Sequence, residues 1–225
     1  MLEIVLRFPT RSQEQRDIRV QAWAGQALRH LGVELCIRGA PPRAGPLLIV
    51  ANHISWLDIV VLHAARHCRF VSKDDVRGWP LVGTMATGAG TLYVKRSSSR
   101  DAMRVVHHMS QALKDGDILA VFPEGTTGDG ASLLPFHANL LQAAISAQAP
   151  VLPVALAYSQ GTPPRTTRAV SYVGDESLLG SLWRTVCAQH LRAHVHFGAI
   201  QDAKGRDRRS WAQQLRLEIE RLRQT

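Results

Sequence analysis

The chain has only three cysteines in 225 residues, Cys36, Cys68 and Cys187. An odd, scattered set argues against a disulfide framework and against a zinc site, so packing is their default role. Acidic residues are also scarce: 18 Asp and Glu stand against 27 Lys and Arg, a net charge of +9, which points to an anionic partner. A nucleic acid is not the expected one, because no zinc-finger spacing, helix-turn-helix signature or aromatic RNA-binding motif accompanies the charge. A bilayer-spanning run is missing too. Residues 130–164 contain no Asp, Glu, Lys or Arg, but Pro135, Pro150 and Pro153 interrupt them. The helical part, His137 to Gln148, falls short of the ~20 residues a span needs. No signal-peptide pattern is visible at Met1-Leu2-Glu3-Ile4, so the expected site lies on the cytoplasmic face.

What is present is a hydrophobic content of 45%, enough for one domain of this length to bury a substantial core. Short apolar runs predict strands near Val33–Arg38, Leu47–Ala51, Arg69–Lys73, Thr91–Val94, Ile118–Phe122, Val151–Tyr158, Ala169–Val173 and His194–Phe197. Helical patterns fall between many of them. This alternation predicts a single α/β domain with a mixed, mainly parallel sheet flanked by helices, its catalytic loops gathered at one sheet edge. Residues 1–32 read as an amphipathic helical segment, 33–160 as the motif-bearing core and 161–225 as the completion of the same domain. The connections Gly39–Pro46 and Ser159–Pro164 are too short for interdomain tethers. Val20, Trp23, Ala24, Ala27 and Leu31 form one helical stripe, and Trp211, Leu215, Ile219 and Leu222 another. Each fits a membrane interface or packing on the sheet.

Behind the run Leu47–Ala51 comes Asn52-His53-Ile54-Ser55-Trp56-Leu57-Asp58. Residues five apart on a regular helix are rotated by roughly 140°, so His53 and Asp58 meet only if the chain turns between them. The expected arrangement is a strand ending at Ala51, His53 in a loop, Ser55 as N-cap and Asp58 in the first helical turn. A carboxylate on one imidazole nitrogen fixes the tautomer and leaves the other nitrogen to take a proton from a hydroxyl. The pair alone is equally an ordinary turn closure with a helix-dipole partner. His63 and His67, with Cys68 adjacent, lack a further ligand at metal-binding spacing and read as packing residues.

A second loop, Phe122-Pro123-Glu124-Gly125-Thr126-Thr127-Gly128-Asp129-Gly130, follows another apolar run. Together the two loops resemble the glycerolipid acyltransferase family, whose first motif is Asn-His-x-x-x-x-Asp and whose third is Phe-Pro-Glu-Gly-Thr. Phe70-Val71-Ser72-Lys73 with Gly88 to Arg96 resembles its second block, and Val151-Leu152-Pro153-Val154 its fourth. The resemblance spans about residues 33 to 160. It implies direct transfer of an acyl chain from an acyl thioester, acyl-CoA or acyl-ACP, to a lysolipid hydroxyl with no cofactor, His53 acting as base and Asp58 holding it. It implies acceptor-binding or oxyanion roles for Glu124, Gly125, Thr126, Thr127, Arg96 and Lys73, supported by Asn52, Pro123 and Pro153. Trp79, Leu81 and Met85 are weaker candidates for an acyl-chain pocket.

Two departures bear on the acceptor. Thr127 stands where many lysophosphatidate acyltransferases carry an arginine that is implied to hold phosphate, a contact worth roughly 1.5–3 kcal/mol. Phe136-His137-Ala138-Asn139 replaces a common lysine-containing segment. Thr127-Gly128-Asp129-Gly130 and Tyr172-Val173-Gly174-Asp175 resemble relatives that acylate lyso-ornithine lipid, which has no headgroup phosphate. The resemblance therefore implies lysophosphatidate as acceptor with lyso-ornithine lipid as the alternative, at an anionic membrane surface in a peripheral or monotopic setting. A non-catalytic basic lipid-binding protein of the same fold is the alternative of another class.

Overall fold

In a computed structural model, which describes residues 8–94, 99–161 and 165–224, the apolar runs become strands and the amphipathic stretches helices. The strands are β1 (Val33–Arg38), β2 (Leu47–Ala51), β3 (Arg69–Lys73), β4 (Leu92–Val94), β5 (Ile118–Val121), β6 (Val151–Gln160), β7 (Arg165–Thr166) and β8 (Leu191–Phe197). The α-helices are α1 (Gln13–His30), α2 (Leu57–Ala65), α3 (Val82–Gly88), α4 (Ser99–Lys114), α5 (Leu141–Ala147), α6 (Leu178–Cys187) and α7 (Arg208–Arg223). One sheet runs in the order β1-β8-β6-β2-β5-β3-β4, with β7 on the far end of β6. Its pairs are parallel except β6 with β8 and β6 with β7. This is the expected mixed, mainly parallel α/β architecture.

β2 lies at the centre and is buried throughout, which explains why it reads as an unbroken apolar run. Its alternate residues serve two cores. Leu48 and Val50 join a cluster with Met109 and Leu113 of α4, Leu141 of α5 and Trp211, Leu215 and Ile219 of α7. Leu47, Ile49 and Ala51 join the other, with Leu57, Val61 and Leu62 of α2 and Leu28 of α1. The C-terminal stripe is therefore spent on the sheet. In α1 the residues turned inward are Val20, Ala24 and Leu28, while Trp23 is exposed.

Two sequence expectations change. Ala169–Val173 is not a strand: Val170 is buried, but the backbone turns, Ser171 N–H donating to the Arg168 carbonyl and Tyr172 N–H to that of Ile54. Apolar content there reflects burial of a loop rather than ladder pairing. Ser159 and Gln160 belong to β6 and start its pairing with β7 instead of a connection. Pro153 sits inside β6, where its carbonyl accepts from Gly198 N–H just past the end of β8. Its missing N–H thus falls on the side where β8 ends, not on the β2 side, so the proline removes no bond to β2.

Candidate active site

The carboxyl ends of adjacent parallel strands β2 and β5 deliver the two motif loops to one edge. Asn52, the first residue beyond β2, is buried and extends the ladder with its side chain. Its Nδ2 donates to the Leu156 carbonyl at 3.0 Å and its Oδ1 accepts from Leu156 N–H at 2.7 Å. The chain then turns between His53 and Asp58 as expected, but the residue capping the helix is Trp56, in helical conformation and without a side-chain cap bond, rather than Ser55. Ser55 Oγ still accepts from Leu57 N–H at 3.2 Å, because the chain already tightens one residue earlier, and Asp58 stands in the first turn.

Nearly every group of His53 except one nitrogen is held. Its backbone N–H donates to Glu124 Oε1 at 2.7 Å, and its carbonyl accepts from Gly128 N–H at 2.8 Å. The ring stacks on Phe122, centroids 3.9 Å apart and planes 5° from parallel. Nδ1 lies 2.8 Å from Asp58 Oδ2. A carboxylate only accepts, so Nδ1 carries the proton and Nε2 bears the lone pair. Nε2 has no partner among the described residues, and the side chain keeps 17% of its surface open. Asp58, fully buried, also accepts from Ile54 N–H at 2.6 Å, Ser55 N–H at 2.9 Å and the Tyr158 hydroxyl at 2.6 Å. Four donors balance the cost of burying that charge. Burial, with Asp58 beside it, pushes the Tyr158 hydroxyl well above its ordinary value, so it stays a donor.

Glu124 is a brace. Its two oxygens are taken by the N–H groups of His53 and, at 2.7 Å, Leu134. Burial raises its pKa, against the lowering effect of those two bonds. Gly125 turns the loop at φ +73°, and a Cβ there would come within 2.9 Å of the His137 ring, so only glycine fits. Its N–H donates to the Phe122 carbonyl and does not point at a substrate. Thr127 Oγ1 donates to the Tyr172 carbonyl, tying the motif loop to the irregular segment before α6.

The remaining sequence candidates are scattered. Lys73 is exposed at the end of β3, and strand alternation sets it with Val71, on the face opposite Phe70, which stacks toward Phe122 and His53. Arg96 lies outside the described residues. Trp79 and Leu81 are exposed on the segment after β3. Pro123 is buried beneath the loop, its carbonyl accepting from His137 N–H. Among the described residues no cluster of His, Cys, Asp and Glu is arranged for a metal ion. Sequence reasoning missed Tyr158, a hundred residues from Asp58 on a strand that reads as core, and Phe122 as the platform for the imidazole.

A histidine clamped in one tautomer by a buried carboxylate, with one nitrogen open at the mouth of a parallel sheet, has the geometry with which a side chain can take a proton from a hydroxyl. A sequence model of the acyltransferase family matches residues 23–157, and the chain belongs to that family. It is 39% identical over 191 residues to a 1-acyl-sn-glycerol-3-phosphate acyltransferase of Neisseria gonorrhoeae, covering 84% of this chain and 74% of that protein. It is 36% identical over 192 residues to a lyso-ornithine lipid O-acyltransferase of Pseudomonas aeruginosa, covering 85% and 73%. The crystal structure of the 1-acyl-sn-glycerophosphate acyltransferase PlsC from Thermotoga maritima superposes with a TM-score of 0.71 over 97% of this chain and 86% of that one, at 20% identity. That likeness establishes the fold.

Proposed function

We propose that the protein moves an acyl chain from an acyl thioester, carried by coenzyme A or acyl carrier protein, to the free hydroxyl of a lysolipid, with 1-acyl-sn-glycerol-3-phosphate as acceptor. The observation that carries this is the open Nε2 of His53, opposite its bond to Asp58. Nε2 takes the hydroxyl proton as the oxygen attacks the thioester carbonyl. The C–S bond then breaks, and the thiolate leaves with the proton returned by the imidazolium. No acyl-enzyme and no cofactor is needed, because the thioester is already a good electrophile and positioning supplies much of the rate. The N–H groups of Thr126 and Thr127 have no acceptor among the described residues, and they are the oxyanion donors in this scheme. In this reading the enzyme works from the cytoplasmic face of the membrane; among the described residues no helix is long and apolar enough to cross one.

One observation favours a second acceptor. Thr127 is neutral and its hydroxyl is committed to Tyr172, which suits lyso-ornithine lipid, a headgroup without phosphate. Transfer by the purified protein, with both donors against both acceptors, tests the reading. His53→Ala is expected to lower kcat by roughly 10²–10⁴ in a protein that still folds, with a lowered thermal midpoint because Asp58 loses one of its donors. Unchanged transfer by that variant excludes His53 as the base. Preference between the acceptors assigns Thr127 its role.

A further inference from the structure

Helix α6 carries large apolar side chains on its outward face. Its buried residues are small and polar, Ser181 and Thr185, while Leu179, Trp183 and Val186 are 78%, 71% and 49% exposed. Positions i, i+4 and i+7 share one helical face, so the three form a single outward apolar stripe. The inward face is partnered. Ser181 Oγ accepts from the Trp56 indole N–H at 3.1 Å, and Thr185 Oγ1 donates to the Ser181 carbonyl, while Leu178 and Leu182 beside them are half-buried. Nothing of that kind accounts for the outward face. A leucine, a tryptophan and a valine lined up on the exposed face of a ten-residue surface helix form an apolar patch of the kind that marks an interaction surface.

The helix is also bolted to the catalytic loops. Arg184 is paired with Glu176 and donates to the carbonyls of Ala169 and Ser171. The next residue, Tyr172, donates its N–H to Ile54, beside His53, and accepts from Thr127 in the second motif loop. Trp56 lies between Ser55 and the helix that carries Asp58. Whatever seats on the stripe is thereby held in fixed relation to the open edge of His53.

We propose that α6 lies in the surface of an anionic phospholipid bilayer, with Leu179, Trp183 and Val186 inserted among the acyl chains at the headgroup boundary, so that a lysolipid can pass from the bilayer to His53. This rests on the lysolipid acceptor proposed above. Ten residues make a helix of about 15 Å, too short to span and suited to lying in the interface plane. Tryptophan favours that depth, and the net charge of +9 complements an anionic leaflet. A second copy of the chain is a poorer occupant. The stripe offers roughly 400 Å² of apolar side chain, about half of the ~800 Å² per partner in a stable interface.

The test is flotation of the full chain with phosphatidylcholine vesicles containing phosphatidylglycerol, comparing wild type with Leu179→Gln/Trp183→Gln. Both positions are exposed, so folding should be unaffected, which the thermal midpoint checks. Vesicle affinity should fall about tenfold or more, while transfer to a short-chain lysolipid kept below its micelle concentration stays at the wild-type rate. Equal vesicle binding by the two proteins overturns the proposal. So does failure of the wild type to float, or a wild-type dimer that the double substitution splits. Should flotation depend on the stripe while neither protein acylates any lysolipid, the docking surface stands and the acceptor assignment falls.

Discussion

Glu124 separates structure from chemistry at the scale of single residues. Both of its oxygens are acceptors for backbone N–H groups, one on His53 and one on Leu134. Glutamine has the same shape but only one acceptor oxygen, so Glu124→Gln turns an amide NH₂ toward one of those donors. The expected cost is about 1–3 kcal/mol for the buried group left unpaired, read from denaturant midpoints. kcat should fall because His53 loses its backbone tie, and KM for the lysolipid should stay near the wild-type value. A large rise in KM alone would instead assign the carboxylate to acceptor binding, the role the family resemblance allowed. His53 and Asp58 were legible because their spacing forced a turn behind an apolar strand. Tyr158 was not, since a tyrosine in β6 carries no local sign of the carboxylate that Asp58 brings to it through the fold.

Two helices with apolar stripes met opposite fates at the scale of elements. In α7, Trp211, Ala212, Leu215 and Ile219 are buried against the sheet, and the Trp211 indole N–H donates to Gln201 Oε1 at 2.7 Å. Trp211→Ala should destabilise the protein by about 3–5 kcal/mol, measured by chemical denaturation, with no specific change in vesicle binding of the folded fraction. A loss of vesicle binding at unchanged stability would return that stripe to the membrane. Hydrophobic periodicity at 3.6 residues reports an apolar face and not what covers it, so the sequence left both readings of 211–222 open. It gave no warning of α6, where the stripe of Leu179, Trp183 and Val186 faces outward while Ser181 docks on Trp56.

Acid sensitivity belongs to the whole molecule. His63 is buried between His67 and Phe70, and burial, helped by His67, pushes its imidazole from 6.5 down to about 3. The unfolded chain binds a proton there that the folded chain refuses. Stability from this group is therefore complete above pH 6.5 and is lost as pH falls toward 3, at about 1.4 kcal/mol per unit. His63→Leu removes that dependence, so its stability relative to wild type should rise progressively from pH 7.5 to pH 5 in urea titrations; a pH-independent difference would contradict the assignment. The α/β class, seven of the eight expected strands, the turn between His53 and Asp58 and the pairing of two motif loops all follow from the sequence, because burial on two faces and turn chemistry leave local patterns. Which oxygen receives which proton, which face of α6 is covered, and the sealing of Thr127 against Tyr172 depend on contacts between segments far apart in the chain. No local pattern encodes them, and only tertiary packing brings the partners together.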